Sequence, residues 1–502
     1  MKYSGKSLLY KCVLLMLAAA LLPHKLYAQG NFVYTNDNQV PNTVTAFSVG
    51  TDGSLTPVPG SPFVTGGDSV GGGLFGANSI GVAIVGQFLF AANTASRDVS
   101  VFTIDANSGA LTLVPGSPFA LQPGFGGGAN DDISVAATPD GHFLMASSNL
   151  ANNVTIFSID ANGALAPIPG SPVFAPFPDG IKISPDGKFL AVAGILQMFS
   201  IAPNGLLTFL NSLGSDQGFP AAIDIDCSSS LLYDGRATDS STIVDGYHIG
   251  SDGTLTPVTG SPFMPGVGLN SNVVVLSPDD KTLFVSNQFS FSVTAFHVAQ
   301  DGSLSLVSGS PFFLRTSELS AFAVGMATSQ DGKFLYVATD FPPMISVLQV
   351  GSDGSLSEVA GSPFSAGNSS ILLSLTSFPP KSCSLTTPVD IAIKPPAQAP
   401  VALNTGTHGK IPVAILSTST FDAVAQVNPA SLTFGHSGNE ASLAGCSPVG
   451  EDVNNDGLAD LVCQFNTEQT GLVSGDGTPI LKGKTVTGKA IQGSEAIRTV
   501  PQ

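Results

Sequence analysis

Three arginines and two carboxylates are the side chains best suited to chemistry on a polar or anionic ligand. Arg97, Arg236 and Arg315 fall in variable segments between more regular stretches of sequence. An arginine can hold a carboxylate or phosphate through two parallel hydrogen bonds. Asp131 and Glu318 lie in segments of the same kind, where a carboxylate can activate water. We therefore predict Arg315, Glu318 and Asp131 as catalytic candidates.

Asparagines at the ends of glycine-rich links add a second kind of polar group. Each of these links comes directly before a predicted strand. A purely structural alternative stays open, because Asn before a strand commonly caps a turn and loop arginines commonly form surface ion pairs. The predicted ligand-binding residues are Arg97, Arg236, Asn78, Asn130, Asp132 and Asn270.

The segment "EDVNNDGLAD" predicts a calcium loop near the end of the chain. Its oxygen-bearing side chains take positions 1, 3, 5 and 9 of such a loop, and Gly457 takes position 6, where the chain turns sharply. Position 12 is Cys463, where an EF-hand has Glu. The spacing resembles the calcium loops of dockerins, and an Asx-rich turn without metal is the alternative. The predicted ligands of a structural Ca²⁺ are Asp452, Asn454, Asp456, Leu458 and Asp460.

A recurring hairpin pattern supplies the elements that must position these side chains. Gly-Ser-Pro-Phe begins at residues 60, 116, 260, 309 and 361, with a Gly-Ser-Pro-Val variant at 170. Seven Asp-Gly or Asn-Gly type turns, such as "TDGSL" and "SDGTL", stand between β-branched or aromatic runs. The period of about 50 residues is the length of a four-stranded propeller blade. We predict an all-β chain, a seven-bladed β-propeller followed by a small β-sandwich.

The ends of the chain and its cysteines complete the domain prediction. Basic residues before an apolar run predict a signal peptide over 1–28, and hence a periplasmic or extracellular protein. The propeller covers 29–380, with one blade closed by strands from 31–65 and 369–378. A linker over 381–385 and a β-sandwich over 386–502 follow. Cys446 and Cys463 are the predicted disulfide. Cys227 and Cys383 either pair or stay free.

The repeats resemble a known family over residues 31–380. The similarity is carried by "FVYTND" at 32, "LFAANTASRDVSVF" at 89, "LFVSNQFSFSVTAF" at 283 and the "SPDGKF" turns. These segments are similar to the seven-bladed lactonase propellers, the 6-phosphogluconolactonase-like group with Tyr-Val-Thr-Asn repeats. The resemblance implies lactone hydrolysis, with His, Arg and Glu near the starts of inner strands. The corresponding segments here contain no histidine.

Two functions follow from these observations. The net charge of −18 opposes binding to nucleic acid or to anionic lipid. We expect a monomer without an organic cofactor, and without a membrane-spanning segment once the signal is removed. The first hypothesis is a module that binds a small anionic ligand, a glycan or a protein through its variable loops. The alternative is a lactonase, a carboxylic ester hydrolase acting on a lactone outside the cytoplasm.

Overall fold

The computed structural model describes most of the chain after the predicted signal peptide, which lies outside the described residues. No helix in this described part is long and apolar enough to cross a membrane. The chain divides into two compact units, Met1–Ser382 and Cys383–Gln502. The described residues are 30–69, 81–123, 131–213, 219–237, 242–266, 268, 271–315, 323–339, 343–366, 374–381, 383, 387–395, 400–405, 408–418, 421–486 and 490–500.

The first unit contains seven antiparallel sheets, which confirms the prediction of a seven-bladed propeller. Blade 1 joins strands from both ends of the unit, because β33 (Ser374–Phe378) pairs with β1 (Phe32–Asn36) in an antiparallel register. Its strands are β1 (Phe32–Asn36), β2 (Thr43–Val49), β3 (Leu55–Pro57), β4 (Phe63–Val64) and β33 (Ser374–Phe378).

Blades 2 to 4 follow in chain order. Blade 2 consists of β5 (Val82–Val85), β6 (Phe88–Asn93), β7 (Asp98–Ile104), β8 (Leu111–Leu113) and β9 (Phe119–Ala120). Blade 3 consists of β10 (Val135–Ala137), β11 (Phe143–Ser148), β12 (Asn153–Ile159), β13 (Leu165–Pro167) and β14 (Val173–Phe174). Blade 4 consists of β15 (Ile181–Ile183), β16 (Phe189–Val192), β17 (Gln197–Ile201) and β18 (Leu207–Ser212).

Blades 5 to 7 complete the ring. Blade 5 consists of β19 (Phe219–Ile225), β20 (Leu231–Ala237), β21 (Ile243–Ile249) and β22 (Leu255–Pro257). Blade 6 consists of β23 (Ser271–Leu276), β24 (Thr282–Asn287), β25 (Ser292–Val298), β26 (Leu304–Leu306) and β27 (Phe312–Phe313). Blade 7 consists of β28 (Ala323–Thr328), β29 (Phe334–Thr339), β30 (Met344–Val350), β31 (Leu356–Glu358) and β32 (Phe364–Ser365).

The Gly-Ser-Pro signature fastens the outer edge of a blade to its third strand. In six blades the serine hydroxyl accepts a hydrogen bond from a backbone N–H of the third strand, as Ser61 does from Ala46 at 2.8 Å. In five of these blades the short strand after the signature then pairs with that same third strand, and in blade 5 a single bridge between Val244 and Phe263 takes its place. The sequence prediction lacked this element. The equivalent serines are Ser117, Ser171, Ser261, Ser310 and Ser362.

The propeller core lies between neighbouring blades. The second strands are buried on both faces, because each sheet is packed on one side by the blade before it and on the other by the blade after it. Buried tyrosines also connect blades. Tyr34 donates a hydrogen bond to the carbonyl of Gly109 at 2.9 Å, and Tyr233 donates one to Gly302 at 2.7 Å. Each of these glycines belongs to a hairpin turn of the following blade.

The second unit contains two four-stranded sheets around a separate hydrophobic core, as a small sandwich requires. A short helix, α1 (Ala423–Gln426), precedes β38, and 3₁₀ turns cover Gln288–Ser290 in the propeller and Thr467–Gln469 here. The strands are β34 (Thr387–Pro388), β35 (Ile391–Ile393), β36 (Val401–Asn404), β37 (Lys410–Ile415), β38 (Val427–Gly435), β39 (Leu443–Cys446), β40 (Leu461–Asn466), β41 (Ile480–Thr485), β42 (Ala490–Ser494) and β43 (Ile497–Val500).

Candidate functional site

Arg97 and Asp131 meet where blades 2 and 3 adjoin. Arg97 lies between β6 and β7, and Asp131 lies in the link before β10. The guanidinium Nε is 3.1 Å from Asp131 Oδ2, and the Asp131 side chain is fully buried while that of Arg97 is 25% exposed. Ser148, the last residue of β11, donates its hydroxyl proton to Asp131 and accepts a hydrogen bond from Arg97 at 3.2 Å. The backbone N–H of Leu150 satisfies the other Asp131 oxygen at 2.9 Å.

Two further carboxylates extend this pair along the same face of the propeller. Asp132 follows Asp131, and Asp179 lies in the equivalent link before β15. Asn149 connects them, because its N–H donates to the Asp132 carbonyl at 3.0 Å and its side-chain amide donates to the Asp179 carboxylate. We name Asp131, Asp132 and Asp179 the acid cluster.

The pKa values of Asp132 and Asp179 are shifted towards neutrality. Burial raises the pKa of Asp132 to about 7, and the nearby charges of Asp179 and Asp131 add to that effect. Burial also raises the pKa of Asp179 to about 6, against the opposing hydrogen bond from Asn149. None of the described residues donates a hydrogen bond to the Asp132 carboxylate. Asp132 is therefore a half-buried carboxylate with its oxygens available and its titration near neutral pH.

Arg236 forms a second pair, which stays within one sheet. Its guanidinium makes two hydrogen bonds to the Asp245 carboxylate. Asp245 lies directly opposite Asp234 in the register of β20 and β21. Burial raises the pKa of Asp234 well above its usual range, and Asp245 adds to this rise while Arg236 opposes it. The predicted ligand-binding residue Arg236 is thus held by a neighbour in its own sheet.

Arg315 does not join Asp131. Its Nε is 3.4 Å from Glu358 Oε2, and its backbone N–H donates to Glu358 Oε1 at 2.9 Å. Glu358 ends the outer strand β31, whereas Asp131 precedes an inner strand, so the predicted catalytic set of Arg315 and Asp131 does not form one group. The remaining predicted positions, namely Asn78, Asn130, Asn270 and Glu318, lie outside the described residues.

An ion pair on neighbouring inner strands was not predicted from the sequence. Lys182 of β15 places its Nζ 2.7 Å from Asp224 Oδ1 of β19, and Lys381 Nζ lies 4.0 Å from Asp224 Oδ2. Burial raises the pKa of Asp224, but the two lysine charges outweigh it and hold that pKa below its ordinary value. The sequence does contain a signal for this ion pair. The segments "FPDGIKIS" and "FPAAIDID" match each other and align Lys182 with Asp224 on equivalent strands.

The predicted calcium loop of the second unit folds around its own carboxylates. Asp452 Oδ2 accepts the N–H of Gly457 at 2.9 Å, and Gly457 has a φ of +88°. Asp452 Oδ1 and Asn454 Oδ1 both lie 3.1 Å from the N–H of Asp456. Asp460 is buried and accepts the N–H groups of Ser417 and Val453 at 2.8 and 3.0 Å.

This arrangement provides hard oxygen donors around a turn that only glycine adopts readily. No group of three or more His, Cys, Asp or Glu side chains placed to hold a metal occurs in the described part of the chain. The loop therefore needs its asparagine and backbone oxygens as well as its carboxylates to surround a cation. The disulfide between Cys446 and Cys463 joins β39 to β40, next to this loop.

Comparison with known proteins relates the segment around the acid cluster to one family. The model of a lactonase family described as a 7-bladed beta-propeller matches residues 119–195. That range contains Asp131, Asp132, Ser148 and Asp179. The matches support a relationship of this chain to the propeller lactonase family. A 6-phosphogluconolactonase of Serratia proteamaculans (strain 568) is 29% identical over 108 residues, which are 22% of this chain and 32% of that relative. The chain thus spans about a third of the curated relative that it matches.

Solved structures show the same propeller fold. A protein from Bacteroides fragilis NCTC 9343 superposes with a TM-score of 0.52 at 18% identity, over 71% of this chain and 99% of that one. The periplasmic gluconolactonase of Pseudomonas aeruginosa has a TM-score of 0.51 at 18% identity, over 67% and 97% of the two chains. At such identities these structures show the propeller fold alone, and the chemistry has to be argued from the residues of the site.

Proposed function

We propose that the propeller is a binding module whose acid cluster takes a small, hydroxyl-rich ligand. The observation that carries this proposal is Asp132, which has a half-buried carboxylate without a donor among the described residues. Carboxylate oxygens accept hydrogen bonds from hydroxyl groups. Asp179 and Asn149 stand beside it and add a second acceptor and a polar amide.

The charge of the site favours a sugar-like ligand over the anionic ligands that the sequence also predicted. Arg97 is already paired with Asp131. Asp132 and Asp179 then leave an excess of negative charge, which repels a carboxylate or phosphate. A neutral polyol has no such penalty and matches the acceptors of the site.

Binding of a stable neutral sugar analogue tests the proposal. D-glucono-1,5-lactam should bind to the full-length protein in isothermal titration calorimetry, and the Asp132→Asn variant should weaken it by roughly tenfold through the loss of one charge-assisted hydrogen bond. Asp186→Asn, in an exposed turn between β15 and β16, is the matched control and should bind like the wild type. Failure of the wild type to bind this and other neutral polyols would overturn the proposal.

A second candidate function, lactone hydrolysis, is favoured by the pKa of Asp132 and by the lactonase-family match over the same segment. Asp132 would take a proton from water as the water oxygen attacks the lactone carbonyl carbon. The carbon–oxygen bond of the ring then breaks, and the ring oxygen receives the proton back from Asp132. Water and lactone become a hydroxy acid without any other reactant.

The pH profile of hydrolysis separates this candidate from binding alone. Turnover of D-glucono-1,5-lactone above the uncatalysed rate should rise with pH through about 7, because the base acts only when Asp132 is deprotonated. Asp132→Asn should remove the turnover while Asp186→Asn retains it. If protein that binds the lactam hydrolyses the lactone no faster than buffer alone, the lactonase candidate is contradicted and the binding function stands.

For the second unit we propose that Ca²⁺ is held by the loop predicted from sequence, with Asp452, Asn454, Asp456 and Asp460 as side-chain ligands and Leu458 as carbonyl ligand. The ion would offset repulsion among the carboxylates. Addition of Ca²⁺ should raise the unfolding temperature of the wild type, and chelation should reverse the rise. The Asp456→Asn variant should respond less. An unfolding temperature independent of Ca²⁺ would contradict the proposal.

We also propose export directed by residues 1–28. Cleavage after Ala28, as the sequence predicts, can be checked by N-terminal sequencing of the protein recovered outside the cytoplasm. Recovery of uncleaved protein only from the cytoplasm would contradict export.

A further inference from the structure

A polar junction recurs between blades on the same face of the propeller as the acid cluster. Between blades 1 and 2, Asn93 ends the second strand and donates to Asp98 at 2.6 Å and to Ser100 at 2.8 Å. Asn42, from the preceding blade, donates to Asn93 Oδ1 at 2.8 Å. Asn93 lies directly opposite Asp98 in the sheet. Asn93 thereby uses both ends of its amide, and we call a junction of this kind closed. Asn42 Oδ1 is buried there without a partner among the described residues.

The junction between blades 5 and 6 is closed in the same way. Asn287 occupies the register position of Asn93, opposite Ser292. Its amide donates to Ser292 at 3.1 Å and to Thr294 at 2.8 Å. Thr242 of the preceding blade donates to Asn287 Oδ1.

The junction between blades 2 and 3 departs from this pattern. The position of the asparagine is taken by the shorter Ser148, opposite Asn153. Ser148 is engaged by Asp131 and Arg97 instead of its sheet neighbour. Asn153 is fully buried, and both its Oδ1 and its Nδ2 lack a partner among the described residues.

A second buried amide oxygen accompanies Asn153. The N–H of Gln122 donates to the hydroxyl of Thr155 at 3.2 Å, and Thr155 shares a strand face with Asn153. Gln122 Oε1 is also buried and has no partner within the described chain. Buried polar groups in folded proteins are nearly always hydrogen-bonded, so three unpartnered amide atoms at one junction indicate a group that completes them.

We infer that Asn153 is a specificity-determining residue, which receives a ligand hydroxyl between blades 2 and 3 where Ser148 replaces the closing asparagine. A hydroxyl both donates and accepts, and so matches the carbonyl and the NH₂ of one amide. Ser148 connects this position directly to Asp131 and the acid cluster. The inference deepens the proposed function and rests on it, because the ligand class is the same neutral polyol.

Two substitutions and one control test the inference with D-glucono-1,5-lactam as the probe. Ser148→Asn restores the asparagine of the closed junctions. Asn153→Leu keeps the approximate shape of the side chain without its polar atoms. Each should weaken lactam binding by roughly tenfold or more, because Ser148→Asn supplies a partner to the Asn153 amide and Asn153→Leu removes that amide. Asn153→Leu should not lower the unfolding temperature, because it removes a buried amide that has no partner among the described residues. Asn287→Leu, at a closed junction, should do the reverse, with lower stability and unchanged binding.

The outcomes separate this inference from the proposed function. Unchanged lactam affinity in folded Asn153→Leu would overturn the inference and leave the binding function standing. The same conclusion would follow if a crystal structure of the complex showed only water at Asn153. Absence of binding to the wild type would overturn both. Loss of stability in Asn153→Leu equal to that in Asn287→Leu would show a structural amide and contradict the inference.

Discussion

The Arg97–Asp131 and Arg236–Asp245 pairs contain the same two chemical groups, but the first pair joins two blades and the second lies within one sheet. Arg236 and Asp245 belong to one sheet, and both ends of the pair are fixed by strands. Arg97 and Asp131 come from adjacent blades, and Asp131 lies in a link that leads into an inner strand. In this link the carboxylate of the next residue, Asp132, receives no hydrogen bond from the described residues.

The neighbouring carboxylates show what this difference means. Asp234, beside the Arg236 pair, is 2% exposed and its pKa is raised mainly by burial. Asp132, beside the Arg97 pair, has a pKa of about 7, within reach of solvent. A carboxyl group buried in a core cannot reach a ligand. A carboxyl group that titrates near neutrality at a surface can exchange protons with one. We therefore propose a structural role for the Arg236 pair and a functional role for the Arg97 pair.

Removal of each arginine should give the largest contrast. Arg236→Leu leaves Asp245 and Asp234 together in a buried sheet, and we expect a loss of about 3–5 kcal/mol in the free energy of unfolding. Arg97→Leu leaves Asp131 with the Ser148 hydroxyl and the Leu150 N–H as hydrogen-bond donors and should cost about 1–2 kcal/mol. Urea unfolding of both variants measures the difference. Equal losses would remove the distinction between the two pairs.

The second largest effect is expected in the pH dependence of stability, to which Asp132 should contribute. Its folded pKa of about 7 exceeds its ordinary value of 3.8, so the folded state holds the proton more tightly and stability falls as pH rises between those values. Asp132→Asn should therefore match the wild type near pH 4 and exceed it by about 1–3 kcal/mol at pH 8. Unfolding free energies at the two pH values check this. A constant offset across that range would contradict the pKa assignment.

Removal of the second carboxylate of the cluster should have the smallest effect. Asp179→Asn takes away one nearby negative charge, so the pKa of Asp132 should fall by less than about one unit and stay above its ordinary value, since burial is the larger cause. Carboxyl NMR titration follows this shift. Asp245→Asn, beside the other arginine, should leave the Asp132 titration unchanged. If Asp179→Asn leaves the pKa of Asp132 unchanged, the two carboxylates do not interact and the prediction is contradicted.

The blades were accessible from sequence because each repeat carries its own local signals. Gly-Ser-Pro-Phe and the Asp-Gly turns specify hairpins wherever they occur, and a regular period then fixes the number of sheets. Arg97, Asp131 and Asp132 were recognised from residue type and position in variable segments. Their mutual arrangement depends on how blade 2 packs on blade 3, which no local pattern encodes.

Other residues of the site were missed for two distinct reasons. Asp179 lies in the link before β15, as Asp131 lies in the link before β10, so a search of every such link for carboxylates would have found it. Ser148 and Asn153 are ordinary strand residues by type. They stand out only when the register of β11 and β12 is compared with that of the closed junctions. Arg315 was selected for its charge, although its partner lies on an outer strand that the sequence could not place beside it.

A crystal structure of the full-length protein with D-glucono-1,5-lactam tests the central claim most directly. We predict that the lactam binds at the junction of blades 2 and 3, with one hydroxyl on the Asp132 carboxylate and another on the Asn153 amide. A lactam bound elsewhere, such as at the Lys182–Asp224 pair of the inner strands, with Asp132 and Asn153 untouched, would contradict the account.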